Sequence, residues 1–318
     1  MLKIMITGAN GFVGRRLLTY LNTAGHKTRA VVRRPSVSVD VPGESIVVGA
    51  IDANTDWQAA LDESDVVVHL AARVHVMNET ESDPLDAFRR VNLEGTMTLA
   101  RAAVKAGVKR FVYVSSIKVN GEATYGQPFT PQQAVNPHDP YALSKWEAEK
   151  ALKELSAQSG MEVVIIRPPL VYGPRVKANF LSLIKLARNG VPLPLGGIKN
   201  RRTMVALENL VDLIKTCCEH PAAAGQVFLA GDDETVSTAE LVVRISRALG
   251  RPSRVFNFPP LIMALTTKLL GKEDVWRRLS GSLEVDTSSA KTILGWKPVV
   301  TMDEQLQQVA EWFLNNEQ

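Results

Sequence analysis

Tyr141 and Lys145 stand four residues apart in the run Pro140–Tyr141–Ala142–Leu143–Ser144–Lys145. On a helix, residues four apart share one face. An ammonium ion beside a phenol stabilises the phenolate, so the pair reads as a general acid/base with a lowered pKa. Ser115 and Ser116 end the apolar run that starts at Arg110. A hydroxyl at a strand end can hydrogen-bond a reacting carbonyl or alcohol. Each feature alone is commonplace. Together at one sheet edge, beside a nucleotide seat, they specify hydride transfer to or from a carbonyl.

The seat is Lys3–Ile4–Met5–Ile6–Thr7–Gly8–Ala9–Asn10–Gly11–Phe12–Val13–Gly14, an apolar run that breaks into G-x-x-G-x-x-G. A helical pattern follows at once, with Val13, Leu17, Leu18 and Leu21 on one face and Gly25 as its stop. A strand turning sharply into a helix collects backbone N–H groups and the positive end of the helix dipole at one point, which suits a diphosphate. Gly8 permits the turn, Gly11 lets the backbone approach the pyrophosphate, and Gly14 lets helix pack on strand. Asn10, Phe12 and Val13 complete the cradle. In dinucleotide-binding sheets an acidic residue at the end of the second strand usually holds the ribose hydroxyls. Here that strand ends Val31–Val32–Arg33–Arg34, with no carboxylate. Arg33 and Arg34 can meet a 2′-phosphate, which favours NADP(H) while leaving NAD(H) open. Topology alone adds Ile51 and Asp52 after the third strand, and Leu70, Ala71 and Ala72 after the fourth.

These residues need a scaffold, and strands alternate with helices to supply one. Strands are expected over Thr28–Arg33, Ser45–Val48, Val66–Leu70, Arg110–Ser115, Glu162–Arg167 and Val227–Ala230. Helices are expected over Asp56–Leu61, Leu85–Lys105, Asp139–Ser159, Asn179–Asn189 and Thr238–Ala248. The pattern predicts an α/β fold, a doubly wound parallel sheet with helices on both faces. Beyond Pro174 the rhythm breaks, and a smaller mixed α/β lobe over the carboxyl edge is expected. The division reads as 1–173, with a return segment near 203–232, for the dinucleotide, and 174–202 with 233–318 for the substrate.

The 318 residues are 45% hydrophobic and 22% charged, with a net charge of +4. That is an ordinary globular composition. No Lys/Arg run is interleaved with aromatics, which disfavours nucleic acid. Cys217 and Cys218, the only cysteines, read as buried helix thiols in a reducing compartment, with no disulfide or metal site. Phe258–Leu270, the most apolar later stretch, is too short to span a bilayer. A cytoplasmic protein without membrane insertion is expected. His69 lies in a buried strand and reads as a satisfied core residue; no chemistry is assigned to it, to His75 or to His138.

The sequence resembles the extended short-chain dehydrogenase/reductase family. The matching pieces are Thr7–Gly14, His69–Leu70–Ala71–Ala72, Val91–Asn92–Leu93–Glu94–Gly95–Thr96, Val114–Ser115–Ser116, Tyr141 with Lys145, Arg167–Pro168 ahead of Val171–Tyr172–Gly173–Pro174, and Leu294–Gly295–Trp296–Lys297–Pro298. The resemblance implies a Rossmann-type fold, Tyr141 as acid/base, and Lys145 as the residue that lowers its pKa and binds the nicotinamide ribose. It implies Ser116 rather than Ser115 as the catalytic hydroxyl, and Ser115, Asn92 and Pro168 close to the cofactor. Within the family the chain is most similar to the nucleotide-sugar branch. There Asn179 and Arg202 match contacts to the diphosphate of a UDP-sugar, and a planar guanidinium suits phosphate. Ile117–Lys118 stand where dehydratases carry an acidic pair. The stretches from His69 to Met77 and Ser115 to Gly121 resemble a bacterial surface-polysaccharide (O-antigen) subgroup. That subgroup implies an NADPH-dependent 4-ketoreductase of a UDP-4-keto-6-deoxy-N-acetylhexosamine, with a UDP-hexose 4-epimerase holding NAD as the first alternative. A small-carbonyl reductase and a non-catalytic dinucleotide sensor are the others. A homodimer through Leu85–Lys105 and Asp139–Ser159 is expected by the same resemblance.

Overall fold

Strands buried on both faces read as continuous apolar runs, and Ile4–Met5–Ile6 and Val66–Val67–Val68 are fully buried. The computed structural model describes residues 1–35, 44–74 and 83–316; His75, Val76 and Met77 lie outside the described residues. The chain opens with β1 (Lys3–Thr7), α1 (Phe12–Thr23), β2 (Lys27–Val32), β3 (Glu44–Val47), α2 (Gln58–Leu61), β4 (Val66–His69) and α3 (Pro84–Arg89). A π-helical turn, Arg90–Gly95, leads into α4 (Thr96–Lys105), then β5 (Arg110–Val114), α5 (Pro140–Ser159) and β6 (Glu162–Arg167). Next come β7 (Val171–Tyr172), α6 (Ala178–Arg188), β8 (Arg202–Thr203), β9 (Val205–Ala206), α7 (Leu207–Glu219), β10 (Val227–Leu229), β11 (Thr235–Val236) and α8 (Thr238–Ala248). The last helices are α9 (Pro260–Leu269), α10 (Glu273–Ser280), α11 (Ser288–Leu294) and α12 (Met302–Asn316).

Seven strands form one sheet in the order β3-β2-β1-β4-β5-β6-β10, every pair parallel. Ile6 sits opposite Ala30 on one side and Val68 on the other. The order reverses beside β1, so the carboxyl ends of β1 and β4 border a crevice at the switch point. One apolar layer packs α1 and α7 on the sheet, joined by Ala290, Leu294 and Trp296. The opposite layer packs α4 and α5. This is the doubly wound Rossmann-type architecture expected from the strand–helix alternation.

Away from the sheet, Phe180, Ile184, Leu241, Ile245, Leu306 and Phe313 make a separate apolar core from α6, α8 and α12. A buried polar knot ties it to the sheet side. Asp232 accepts from the Tyr172 hydroxyl (2.7 Å), the Ala206 N–H (2.9 Å) and the Asn209 amide (2.7 Å). Asn209 also holds Val299 and Val300 through their N–H groups at 2.8 and 2.9 Å.

Two features depart from the sequence reading. The helix expected over Leu85–Lys105 is present but carries the π turn in its middle. Gly95 permits the close approach there: an added Cβ would lie 2.8 Å from the Ile51 side chain. Secondly, α7 was not singled out, although Leu207, Leu210, Val211, Ile214, Cys217 and Cys218 line its buried face. Both cysteines are free, and burial raises both thiol pKa values, that of Cys218 to about 12. Among the described residues no helix is long and apolar enough to cross a membrane.

Candidate active site

The glycine turn closes with the Gly11 N–H donating to the Gly8 carbonyl at 2.9 Å. Gly8 has φ of +66°, and an added Cβ would meet the Ala71 nitrogen at 2.9 Å. A Cβ on Gly14 would lie 2.2 Å from the Gly8 carbonyl oxygen. No side chain caps α1 and its first turn holds no acidic residue, so its leading amides and dipole suit an anion. Ala71 and Ala72, half-buried, border the turn from the end of β4. The chemistry of this donor set fits a dinucleotide diphosphate. Gly14→Ala is expected to abolish retention of nicotinamide dinucleotide on a desalting column, because backbone cannot yield 1 Å or more without opening the turn.

The candidate reacting groups converge from β5 and α5. Asp139 caps α5, its carboxylate accepting the Ala142 N–H at 2.6 Å, and Pro140 occupies the first helical turn where its missing N–H costs nothing. The second Asp139 oxygen pairs with Lys118 at 2.5 Å, so the loop after β5 is tied to the helix start. Ser116 lies in that loop, and its hydroxyl acts on the Tyr141 phenol in the direction that lowers its pKa. Its oxygen also accepts the Lys118 N–H at 3.3 Å. Lys145 is buried; its ammonium donates to the Val114 carbonyl at 2.8 Å and sits 4.4 Å above the Tyr113 ring. Ser115 donates its N–H to Ile166 at 2.7 Å, while its hydroxyl is buried without a hydrogen-bond partner among the described residues. The Pro168 carbonyl accepts the Ile117 N–H at 3.0 Å and so fixes the same loop.

The electrostatics correct one expectation. Burial pushes the Tyr141 phenol up to about 12, against the lowering effect of the Ser116 hydroxyl. Burial also brings Lys145 down to about 7, opposed by the Glu149 carboxylate. Lys145 is therefore less readily charged than a free lysine, and desolvation, not the ammonium, sets the direction of the phenol's shift. The tyrosine rests as a proton donor.

Asn92, projected inward by the π turn, is buried. Its side chain accepts the Arg73 N–H at 2.8 Å and donates to the Arg73 carbonyl and the Ser144 hydroxyl, both at 3.0 Å. It thus ties the chain after β4 to α5 between Tyr141 and Lys145. His69 extends this network. Its Nδ1 lies 2.7 Å from the Thr7 hydroxyl and its Nε2 3.0 Å from that of Thr96, which itself donates to the Asn92 carbonyl at 2.7 Å. Thr96 is thereby an acceptor towards His69, and with the buried ring neutral, Nδ1 accepts from the Thr7 hydroxyl. Burial and the nearby Lys145 hold His69 down at about 3. The folded state stays unprotonated while the unfolded chain takes up a proton below pH 6.5, so stability is lost as pH falls. At pH 5 the protein is expected to be about 2 kcal/mol less stable than at pH 7 from this group alone. A denaturant titration at both pH values checks it; His69→Gln should lower stability but flatten that dependence.

The other anticipated residues are scattered. Arg33 and Arg34 are exposed just past β2. Ile51 is buried and Asp52 begins a tight turn, accepting the Asn54 N–H at 2.8 Å. Leu70 is half-buried past β4, and Asn10 is exposed with its carbonyl accepting from Arg15 at 3.0 Å. Phe12 and Val13 are half-buried in the first turn of α1, and Phe12 packs against both the sheet core and the α6–α8–α12 core. Asn179 is exposed in the first turn of α6. The Arg202 guanidinium donates to the carbonyls of Arg278 (2.8 Å) and Gly281 (3.3 Å), and burial lowers its pKa. The sequence reading missed Glu149, Arg167 and Asn120, which sit directly behind the reacting groups. Arg167 makes a two-pronged pair with Glu149 at 2.9 and 2.5 Å and donates to Asn120 at 2.9 Å, all buried. Glu149 lies four residues beyond Lys145, on the same face of α5, and that spacing was the available signal.

Residues 4–231 match the model of the NAD dependent epimerase/dehydratase family. The chain is 49% identical over 314 residues to UDP-glucose 4-epimerase of Vibrio cholerae, covering 98% of this chain and 95% of that protein. Among solved structures it resembles a short-chain dehydrogenase/reductase superfamily protein of Agrobacterium tumefaciens with bound NAD, at TM-score 0.77 and 25% identity, covering 99% and 98% of the two chains. The fold is shared with UDP-N-acetylglucosamine 4-epimerase of Bacillus cereus, at TM-score 0.79, 19% identity and coverage of 98% and 99%. With its glycine turn, its parallel sheet and its serine, tyrosine and lysine at one edge, the chain belongs to the NAD-dependent epimerase/dehydratase family of the extended short-chain dehydrogenases/reductases.

Proposed function

We propose that the protein is a UDP-hexose 4-epimerase that keeps NAD bound through its cycle. The observation that carries this reading is the 49% identity to a UDP-glucose 4-epimerase along 98% of the chain; the Ser116–Tyr141–Lys145 grouping supplies its chemistry. Bound NAD would accept a hydride from C4 of the sugar and return it to the other face. Tyr141, as its phenolate, takes the C4 hydroxyl proton as the C4–H bond breaks, and the phenol gives that proton back when the alcohol re-forms. Ser116 holds the oxygen, and Lys145 orients the ribose. Gly8, Gly11, Gly14 and the first turn of α1 hold the diphosphate of the dinucleotide, with Ile51, Asp52, Leu70–Ala72, Asn92 and Ser115 around its remaining length. The sugar belongs to residues 174–202 and 233–318, with Asn179 and Arg202 on its UDP diphosphate. Lys118, paired with Asp139, stands where a dehydratase would need an acid.

The test is direct. Heat-denatured protein should release stoichiometric NAD, and the native protein should convert UDP-glucose to UDP-galactose without added cofactor. A second reading, an NADPH-dependent 4-ketoreductase of a UDP-4-keto-6-deoxy sugar, is favoured by one observation: exposed Arg33 and Arg34 directly follow β2 with no carboxylate. Released NADP, with oxidation of NADPH only when a 4-keto sugar is supplied, would select it. In either case Arg202→Ala is expected to raise KM for the UDP-sugar roughly tenfold or more, the loss of one charge-assisted phosphate contact. Steady-state kinetics with Arg202→Lys as the charge-retaining control checks this. A dimer through α4 and α5 would give about twice the 34.8 kDa of one chain in light scattering.

A further inference from the structure

Helix α9, within the apolar stretch noted in the sequence, buries none of its residues. Leu261, Leu265 and Leu269 are 86%, 59% and 78% exposed, with Ile262 at 48% beside them. Their spacing at i, i+4 and i+8 places them on one helical face. Leu270, 70% exposed, extends the patch into the turn before α10. The opposite side of α9 is the attached one, since Met263 packs with Trp276 and Leu279 of α10 on Leu195, Ile198 and Val242. The helix is therefore held to the protein by one edge and offers a continuous leucine-rich stripe outwards. Isolated exposed leucines need no explanation, but a contiguous stripe does.

The charge around the stripe is as uneven. Residues 251–280 hold six Arg and Lys against Glu273 and Asp274, a net +4 that equals the net charge of all 318 residues. Lys268 lies at the edge of the stripe, and Lys272, Arg277 and Arg278 follow it, all exposed. An apolar helical face bordered by basic residues carries the two signals that hold a helix in the plane of an anionic lipid surface. A second copy of the chain is the poorer occupant, because a two-fold contact through α9 would bring the same basic cluster against itself. We infer that the α9–α10 hairpin is a membrane-interface docking element, seating the leucine face of α9 among lipid chains and its lysines and arginines on anionic headgroups. This is docking in the interface, not spanning.

The hairpin's mounting suits that role. An added Cβ on Gly197 would meet the Phe258 carbonyl oxygen at 2.3 Å, and Leu193 bridges Val255, so the segment before α9 is pressed on the loop after α6. At the other end Arg202 holds the carbonyls of Arg278 and Gly281. The far end of the hairpin is thus fixed next to β8, and a docked protein would present this side of the molecule to the membrane surface.

Co-sedimentation of the full chain with vesicles of phosphatidylcholine, with and without phosphatidylglycerol, tests the inference. Binding is expected to the phosphatidylglycerol vesicles and to weaken with added salt. The Leu265→Asp/Leu269→Asp variant should bind at least about tenfold more weakly, and Lys268→Gln/Lys272→Gln should lose the preference for anionic lipid. No binding to either vesicle overturns the inference, and so does equal binding by parent and leucine variant. Leu265→Asp lowering the light-scattering mass without altering vesicle binding would overturn it in favour of a second copy. The readout is independent of turnover, so its failure and that of the epimerase reading are separable.

Discussion

Tyr141→Phe is expected to lower turnover by about 10²–10⁴-fold, the usual contribution of a positioned acid/base, with the melting temperature near that of the parent. The substitution removes only the hydroxyl; the ring keeps its edge contact with Phe88, at 6.1 Å between centroids. The sign of the pH dependence follows from burial. Held at about 12, the phenol is protonated near neutral pH, so removal of the C4 hydroxyl proton should accelerate as pH rises. Rapid-mixing measurement of bound nicotinamide reduction, through its near-ultraviolet absorbance, isolates that half-reaction. A rate that is flat or falls with pH would mean that Tyr141 does not take the proton. Lys145, at about 7, loses its charge over the same range, so the gain with pH should be shallower than a lone tyrosine would give.

Glu149→Gln carries the largest expected cost in stability, about 3–5 kcal/mol, because it strands the Arg167 guanidinium without its counter-charge. Both residues are essentially inaccessible, at 0% and 1%. The pair fastens α5 to the end of β6, and Asn120 extends it to the loop after Ser116, its amide donating to the Thr130 carbonyl at 3.0 Å. A fall of roughly 10 °C or more in melting temperature is expected. Glu149 also opposes the effect of burial on Lys145, so the variant's lysine should titrate below that of the parent. Glu149→Leu/Arg167→Met, which removes both charges, should lose less than the single changes added together. Additive losses would show that the two groups act separately.

Much of the site was legible from residue spacing. The glycine turn, the strand ends that carry Ser115 and Leu70, and the face shared by Tyr141 and Lys145 depend on contacts within a few residues. The one-residue shifts between expected and observed strands left those residues in the loops just past β5 and β4. The His69 network, by contrast, joins β1, β4 and the π turn through Thr7, Thr96 and Asn92. Nothing in the periodicity of any one of these segments announces the others. Glu149 and Arg167 come from a helix and a strand that meet only once the sheet forms.

The sequence by itself determined the alternating α/β plan, the glycine turn and the face shared by Tyr141 and Lys145, because turn geometry and helical or strand period are local properties. The tertiary structure alone decided the sign of the Tyr141 shift, the neutral state of His69, the carbonyl partners of Arg202 and the outward leucine face of α9. Each depends on how much water distant segments exclude from one point, and desolvation is a property of the assembled fold.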